Sequence, residues 1–279
     1  MYTTHFGLKE NPFNLSPDPR YLFLSPQHEE ALNSLIYGIT ERKGFILVTG
    51  DIGTGKTTIC RALLADLDGS VDSALIFNSA LSDIELLATV NQELGISVGP
   101  GRKSKKRCID ALNKYLLRQF SRNRNVVLLI DEAQNLAPGT LEQVRMLSNL
   151  ETVEEKLMQI VLIGQSELQD MLKTPSLRQL NERITVRFHL QALNEKSVKS
   201  YIRHRLIVAD GENKVAFTWG AHKLIYHYSL GNPRRVNAIC DRALLIAYTK
   251  NRFKIDAWII RMAIKDIGMS YFSGRKYGH

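Results

Sequence analysis

Eight consecutive residues, Gly50-Asp51-Ile52-Gly53-Thr54-Gly55-Lys56-Thr57, carry the most specific chemistry in the chain. Their spacing is G-x-x-x-x-G-K-[ST], in which glycines let backbone N–H groups curl around a phosphate. Lys56 then reaches the β- and γ-phosphates and the Thr57 hydroxyl ligates Mg²⁺. Thr58 follows in the same nucleotide-binding stretch. A glycine turn with a solvated lysine could match by chance, so the setting decides. Before the motif runs Phe45-Ile46-Leu47-Val48-Thr49, a short apolar, partly β-branched run of buried-strand type. After it, Ile59, Ala62, Leu63 and Leu67 recur at helical spacing. Strand, glycine loop and helix place the phosphate at a helix N-terminus, where partial positive charge gathers. The stretch implies a bound nucleoside triphosphate.

Two further positions complete that chemistry. Val126-Val127-Leu128-Leu129-Ile130 ends in Asp131-Glu132. An unbroken apolar strand belongs in a parallel sheet covered on both faces, and an acid at its end positions Mg²⁺ in P-loop enzymes. Asp131 takes that place, and Glu132 is set to polarise a water for attack on the γ-phosphorus as a general base. Another apolar run, 159–164, ends at Gln165. Its amide could bond the γ-phosphate or the attacking water, or cap the helix beginning at Ser166.

The elements that must position these groups follow from periodicity. Strands are expected at 45–49, 74–77, 126–130, 159–164 and 184–190, alternating with helices that include 27–40, 82–94 and 106–121. Ser82 and Glu85 are spaced as a capping box. The fold class is therefore α/β: a five-stranded parallel sheet with helices on both faces and ligands at the strands' C-terminal ends. From Asn194 the strand signal stops. Helices at about 194–209, 217–228, 232–249 and 256–267 make a small all-α domain. The expected organisation is an N-terminal segment and helix at 1–43, a P-loop domain at 44–190 and a basic helical lid at 191–279. Prolines 12, 17, 19 and 26 forbid long helices at the start, and Phe6, Phe13, Tyr21, Leu22 and Phe23 would pin an extended segment to a surface.

Composition fits a globular chain, and the longest strongly apolar runs are too short to cross a bilayer. The first residues lack a signal-peptide pattern. Three widely spaced cysteines suggest neither a disulfide framework nor a zinc site, so a reducing cytoplasm is expected. The charge of +9 is unevenly spread: residues 1–190 hold 21 Lys/Arg and 22 Asp/Glu, residues 191–279 hold 16 and 6. A solvated surface can carry such an excess. If it binds, nucleic acid or an acidic membrane surface is the candidate. The same choice applies to the cluster Arg102-Lys103-Ser104-Lys105-Lys106-Arg107, for which a solvated loop is the simpler reading.

Together the P-loop, Asp131-Glu132, Gln165, the arginines before the fifth strand and Gly231-Asn232-Pro233-Arg234 resemble the AAA+ ATPases. Phe6-Gly7-Leu8, Asn11-Pro12-Phe13, Pro17-Asp18-Pro19, Asp131-Glu132-Ala133-Gln134 and Gly164-Gln165-Ser166-Glu167-Leu168 resemble, more narrowly, the ExeA/GspA group, ATPases of type II secretion and related pilus or exopolysaccharide systems. The resemblance implies ATP and Mg²⁺ as cofactors and a homo-oligomer whose partners are secretion or pilus machinery at the cytoplasmic face of the inner membrane. It makes Gln165 the sensor-1 residue and Arg234 the sensor-2 residue. Asn78 falls where many AAA+ proteins hold the catalytic glutamate inactive. Arg183, with Arg178 as second choice, would be an arginine finger completing a neighbour's site. Secretion ATPases of this group usually continue into a transmembrane helix and a peptidoglycan-binding domain, and neither lies within these 279 residues. The expectation is a cytosolic part of a longer protein or a short relative of the MSHA-pilus type. The Asp-Glu-Ala-Gln sequence also occurs in TniB/TnsC-type transposition ATPases, which makes DNA, held by the basic lid, the alternative partner. The N-terminal Asn-Pro-Phe segment favours the secretion reading.

Overall fold

Five apolar runs become five parallel strands. They are β1 (Phe45–Gly50), β2 (Val71–Ile76), β3 (Asn125–Ile130), β4 (Gln159–Gly164) and β5 (Ile184–Leu190), hydrogen-bonded in the order β2-β3-β4-β1-β5. Every residue of β1 and β4 is buried, as expected of inner strands covered on both faces. The computed structural model describes residues 1–15, 18–67, 69, 71–77, 81–99, 104–152 and 155–268. These fall into two compact units: residues 26–52 with 56–190, and residues 1–25 with 53–55 and 191–279.

The helices are numbered along the chain, and the first, α1 (Tyr2–Phe6), belongs to the second unit. Around the sheet lie α2 (Pro26–Thr40), α3 (Lys56–Asp66), α4 (Asp83–Glu93), α5 (Lys105–Phe120), α6 (Pro138–Leu147), α7 (Ser166–Leu172) and α8 (Arg178–Arg183). On one face Phe45, Leu47, Leu128, Ile130, Ile160 and Leu162 join one core with Leu86, Leu112, Leu141 and Leu168. Ile46 points to the other face, where a Cβ on Gly38 of α2 would stand 2.7 Å from its Cδ1. The Ser82–Glu85 capping box forms as expected. Within the basic cluster, Lys105 pairs with Asp83 at 3.3 Å and Arg107 donates to the Val98 carbonyl at 3.0 Å; Arg102 and Lys103 lie outside the described residues.

The second unit holds α9 (Glu195–Val208), α10 (Trp219–Ser229), α11 (Pro233–Thr249) and α12 (Ala257–Asp266), as the helical spacing predicts. It is not wholly helical. Two two-residue strands, β6 (Ala216–Phe217) and β7 (Lys254–Ile255), pair in parallel. Two residues are too few to show an alternation, so no sequence signal announces them. The opening segment also differs from a purely extended one, because α1 precedes its first proline. Phe6, Phe13 and Tyr21 are buried, and Phe6 and Phe13 join a core with Val198, Ile225, Ile239 and Ile260. Arg205 of α9, itself buried, clasps this segment by donating to the Pro12 carbonyl and, at 3.0 Å, to the Asn14 carbonyl. Its guanidinium also lies 4.5 Å from the Tyr21 ring centre.

One buried polar residue fixes where β1 begins. Gln159, at the start of β4, is fully buried and accepts the Gly44 N–H through Oε1 at 2.8 Å. Gln159→Leu leaves that N–H without an acceptor inside the fold, at about 1–3 kcal/mol. Urea unfolding of the variant is expected to show an unfolding free energy lower by that amount and a correspondingly lower midpoint, and an unchanged midpoint would refute the anchoring role.

Candidate nucleotide site

The carboxyl ends of β1, β3 and β4 deliver the candidate residues to one corner of the sheet unit. Lys56 opens α3 and is 95% covered, and among the described residues no carboxylate forms an ion pair with it. Its Nζ donates to the backbone carbonyls of Gly50 at 2.7 Å and Asp51 at 3.0 Å. Burial lowers the ammonium's pKa, and the more distant charges of Glu132, Asp131 and Asp51 oppose that only in part. A buried ammonium turned onto backbone carbonyls is a site built for an anion.

At the next residue, the Thr57 hydroxyl donates to Asp131 Oδ2 at 2.9 Å. Asp131 is buried, its backbone N–H donates to the Ile76 carbonyl at 2.9 Å, and its Oδ1 accepts the Glu132 N–H at 2.9 Å. Burial pushes the Asp131 carboxyl up, against the hydrogen bonds from Thr57 and Glu132 that favour its charge. A hydroxyl and a carboxylate side by side are hard oxygen donors of the kind Mg²⁺ takes with phosphate. The chemistry of this donor set fits a magnesium nucleotide.

Glu132 sits in left-handed backbone, with φ 52°. A bulky residue in that region costs energy and aims its side chain where regular backbone would not. The carboxylate accepts Gln165 Nε2 at 3.0 Å and Gln134 Nε2 at 2.5 Å, both on Oε2. Burial opposes its ionisation, but those two amides and the Lys56 charge outweigh it and hold Glu132 below the usual glutamate range. It is therefore ionised at neutral pH, as a general base must be. Of the two readings of Gln165, the side chain makes no capping bond to α7; it faces Glu132.

Gln134 has a role that its neighbours in sequence do not announce. Here it also accepts the Gln165 N–H through Oε1 at 3.0 Å and so ties the base to the end of β4. Gly164 makes room for it: a Cβ there would fall 2.8 Å from Gln134 Oε1 and 2.7 Å from Leu168 Cδ2. What signal there was lies in the Asp-Glu-Ala-Gln string taken whole. Asn78, expected beside the base, lies outside the described residues. Ser166 Oγ donates to Asp51 Oδ1 at 3.1 Å, which joins the loop to the start of α7.

The loop tip, Gly53–Gly55, falls within the helical unit. Gly53 has φ 80°, and a Cβ on it would meet Arg234 Cβ and Asn232 Oδ1, each at 2.8 Å. Asn232 caps α11 by accepting the N–H groups of Arg234 and Arg235. Thr54 is buried, and Thr58 is half-buried on α3. On α8, Arg183 Nη1 donates to Ser148 Oγ at 2.5 Å, Asn149 Oδ1 at 2.7 Å and the Arg145 carbonyl at 3.3 Å, closing the C-terminal end of α6. Arg178 is exposed and pairs with Glu182 at 2.9 Å. Among the described residues no further cluster of His, Cys, Asp or Glu could hold a metal, and no helix is long and apolar enough to cross a membrane.

Residues 39–172 match the AAA domain family. General secretion pathway protein A of Aeromonas hydrophila is 45% identical over 267 residues, covering 96% of this chain and 48% of the relative. The chain thus spans about half the length of that curated relative. Among solved structures, Cdc6p of Pyrobaculum aerophilum aligns with a TM-score of 0.71 at 18% identity, over 93% of this chain and 72% of its own. Drosophila ORC bound to DNA gives 0.68 at 20%, over 95% and 65%. The RuvB Holliday junction branch migration motor of Thermotoga maritima gives 0.61 at 16%, over 92% and 76%. Identities this low speak for the fold alone.

The raised Asp131 pKa means that the folded chain holds its proton more tightly than the unfolded chain does. Stability from that group is full below the unfolded pKa and is lost as pH rises through the folded one. At neutral pH, Asp131→Asn is therefore expected to raise the melting temperature of the nucleotide-free protein, by about 2–4 °C per kcal/mol relieved. The same substitution should abolish the extra stabilisation by ATP with Mg²⁺. Calorimetric scans with and without magnesium nucleotide check both, and a lower melting temperature without nucleotide would refute the account.

Proposed function

The chain belongs to the AAA+ ATPases of the general secretion pathway protein A type, and on that premise we propose that it binds and hydrolyses ATP at an interface between copies of itself, driving assembly in a type II secretion or pilus-type export system. The observation that carries the proposal is Glu132, held ionised by Gln134 and Gln165 in the same corner as Lys56, Thr57 and Asp131. The loop residues Gly50 to Thr58 hold the phosphates, Lys56 neutralising their charge, and Thr57 with Asp131 hold the metal. Mg²⁺ held by Thr57 and Asp131 would supply positive charge to offset the charge that develops on the phosphates. Glu132 takes the proton of the attacking water. Gln165, already bonded to that carboxylate, orients the water or contacts the γ-phosphate. Arg234 supplies a second positive contact from the start of α11. Asn78 is retained as a brake on Glu132 in this reading.

Arg183 completes the neighbouring copy's site, with Arg178 as the other choice. Its hold on the end of α6 gives the guanidinium a fixed position, which suits a residue that must stabilise transition-state charge in trans. The work is placed at the cytoplasmic face of the inner membrane. The 45% identity to a secretion-pathway protein favours export over the transposition-type alternative, in which the helical unit would hold DNA.

Glu132→Gln is expected to lower ATP turnover about 10²–10⁴-fold while leaving ATP affinity within a few-fold. Turnover close to that of the parent protein would remove Glu132 as the base. For the shared site, turnover per copy should rise with protein concentration, and Arg183→Ala should abolish the rise without weakening nucleotide binding. Concentration-independent turnover that survives Arg183→Ala would rule the shared site out.

A further inference from the structure

The chain has two tryptophans, both in the helical unit and both open to solvent: Trp219 is 72% exposed and Trp258 46%. Indole is well covered in most folded proteins, so two exposed at one place mark a surface with a use. Their nearness follows from the local fold. β6 and β7 run side by side, and each leads into a helix, α10 at Trp219 and α12 at Ala257. The Thr218 N–H donates to the Ile255 carbonyl at 2.9 Å, and a Cβ on Gly220 would lie 3.5 Å from Ala257 Cβ. Trp219 and Trp258 flank that contact. Phe253, 54% exposed, stands just before β7 between Arg252 and Lys254, which are exposed as well. Lys223 Nζ lies 4.0 Å from the Trp219 ring centre, and the Arg252 guanidinium 5.2 Å from that of Trp258.

We propose that this face, Trp219, Lys223, Arg252, Phe253, Lys254 and Trp258, docks the helical unit onto an anionic lipid bilayer. Aromatic rings interleaved with cations are what the membrane interface selects. The rings enter the boundary between headgroups and acyl chains, while the cations stay with the lipid phosphates. The charge of residues 191–279, 16 Lys/Arg against 6 Asp/Glu, adds attraction at longer range. A nucleic acid would use the same cations less completely. Duplex phosphates would engage the cations but give the exposed indoles nothing to do. The inference deepens the membrane-side placement in the preceding section and rests on that reading for its setting, but it draws on the helical unit alone.

Because the chain has no other tryptophan, indole fluorescence reads this face directly. Nucleotide-free protein is mixed with phosphatidylcholine vesicles with and without phosphatidylglycerol. The expected result is a blue shift and co-sedimentation with the anionic vesicles only, both fading as salt is added. Lys223→Ala combined with Lys254→Ala should weaken vesicle binding about 25-fold, at about fivefold per charge. Trp219→Ser should weaken it about tenfold. Both variants should keep the parent's circular dichroism and ATP binding, since the replaced side chains are exposed. No shift with anionic vesicles, or the same shift with neutral ones, overturns the proposal. So does quenching by single-stranded oligothymidine where vesicles have no effect, which would assign the face to nucleic acid. Lost vesicle binding with intact ATP turnover defeats only this inference; lost turnover with intact vesicle binding defeats only the hydrolytic reading.

Discussion

A lysine ammonium and an aspartate carboxylate taken out of water at the carboxyl edge of the sheet are what the rest of the sheet unit is arranged around. Removing either charge from water is costly unless other groups replace its hydration. For Lys56 the substitutes are two backbone carbonyls, for Asp131 a hydroxyl and a backbone N–H. Neither set matches a full opposite charge. The corner is left electrostatically incomplete, as a site for a nucleotide's phosphates would be. The apolar strands make this possible, because only a sheet covered on both faces presents its strand ends to so little water. The left-handed backbone at Glu132 belongs to the same arrangement: local strain there is offset by two amide hydrogen bonds that fix the carboxylate's aim.

What could be read in the sequence was local. The P-loop, the run ending at Asp131 and the Ser82–Glu85 box each lie within a few residues, so their periodicity and spacing appear in one window. All five strands lie on their apolar runs, and β2 alone starts markedly early, at Val71 rather than 74. What escaped reading joins distant positions. Gln134 matters because β4 lies beside β3, so the partnership with Gln165 appears only once strand order is known. Gln159 reads as one more strand residue until its amide is seen to meet Gly44. β6 and β7 are each stabilised by the other and too short to show a pattern alone. The arginines before β5 were legible as arginines, but Arg183's hold on the end of α6 was not.

The electrostatic split between the two parts of the sequence also has a structural side. Of the six carboxylates in residues 191–279, Asp210, Glu212, Asp256 and Asp266 each pair with a Lys or Arg of the same stretch. Asp241 instead accepts the Tyr2 hydroxyl and Asn11. These pairs are largely exposed and each contributes little to stability, about 0–1 kcal/mol. Their effect is rather that few acids remain to neutralise the other cations. The unit therefore keeps a strongly positive field, at some cost in self-repulsion.

The clasp between Arg205 and the carbonyls of Pro12 and Asn14 bears on how the protein is made. Residues 1–25 are synthesised well before their core partners, such as Val198 and Ile239. The sheet unit, encoded between them, can close while the opening segment still waits. That segment then joins its partners across a separation of about 190 residues, a non-local step of the kind that sets slow folding rates. During synthesis its aromatic side chains stay without cover until residues 198–260 are made, which makes this stretch a natural point for a chaperone to hold or a protease to cut.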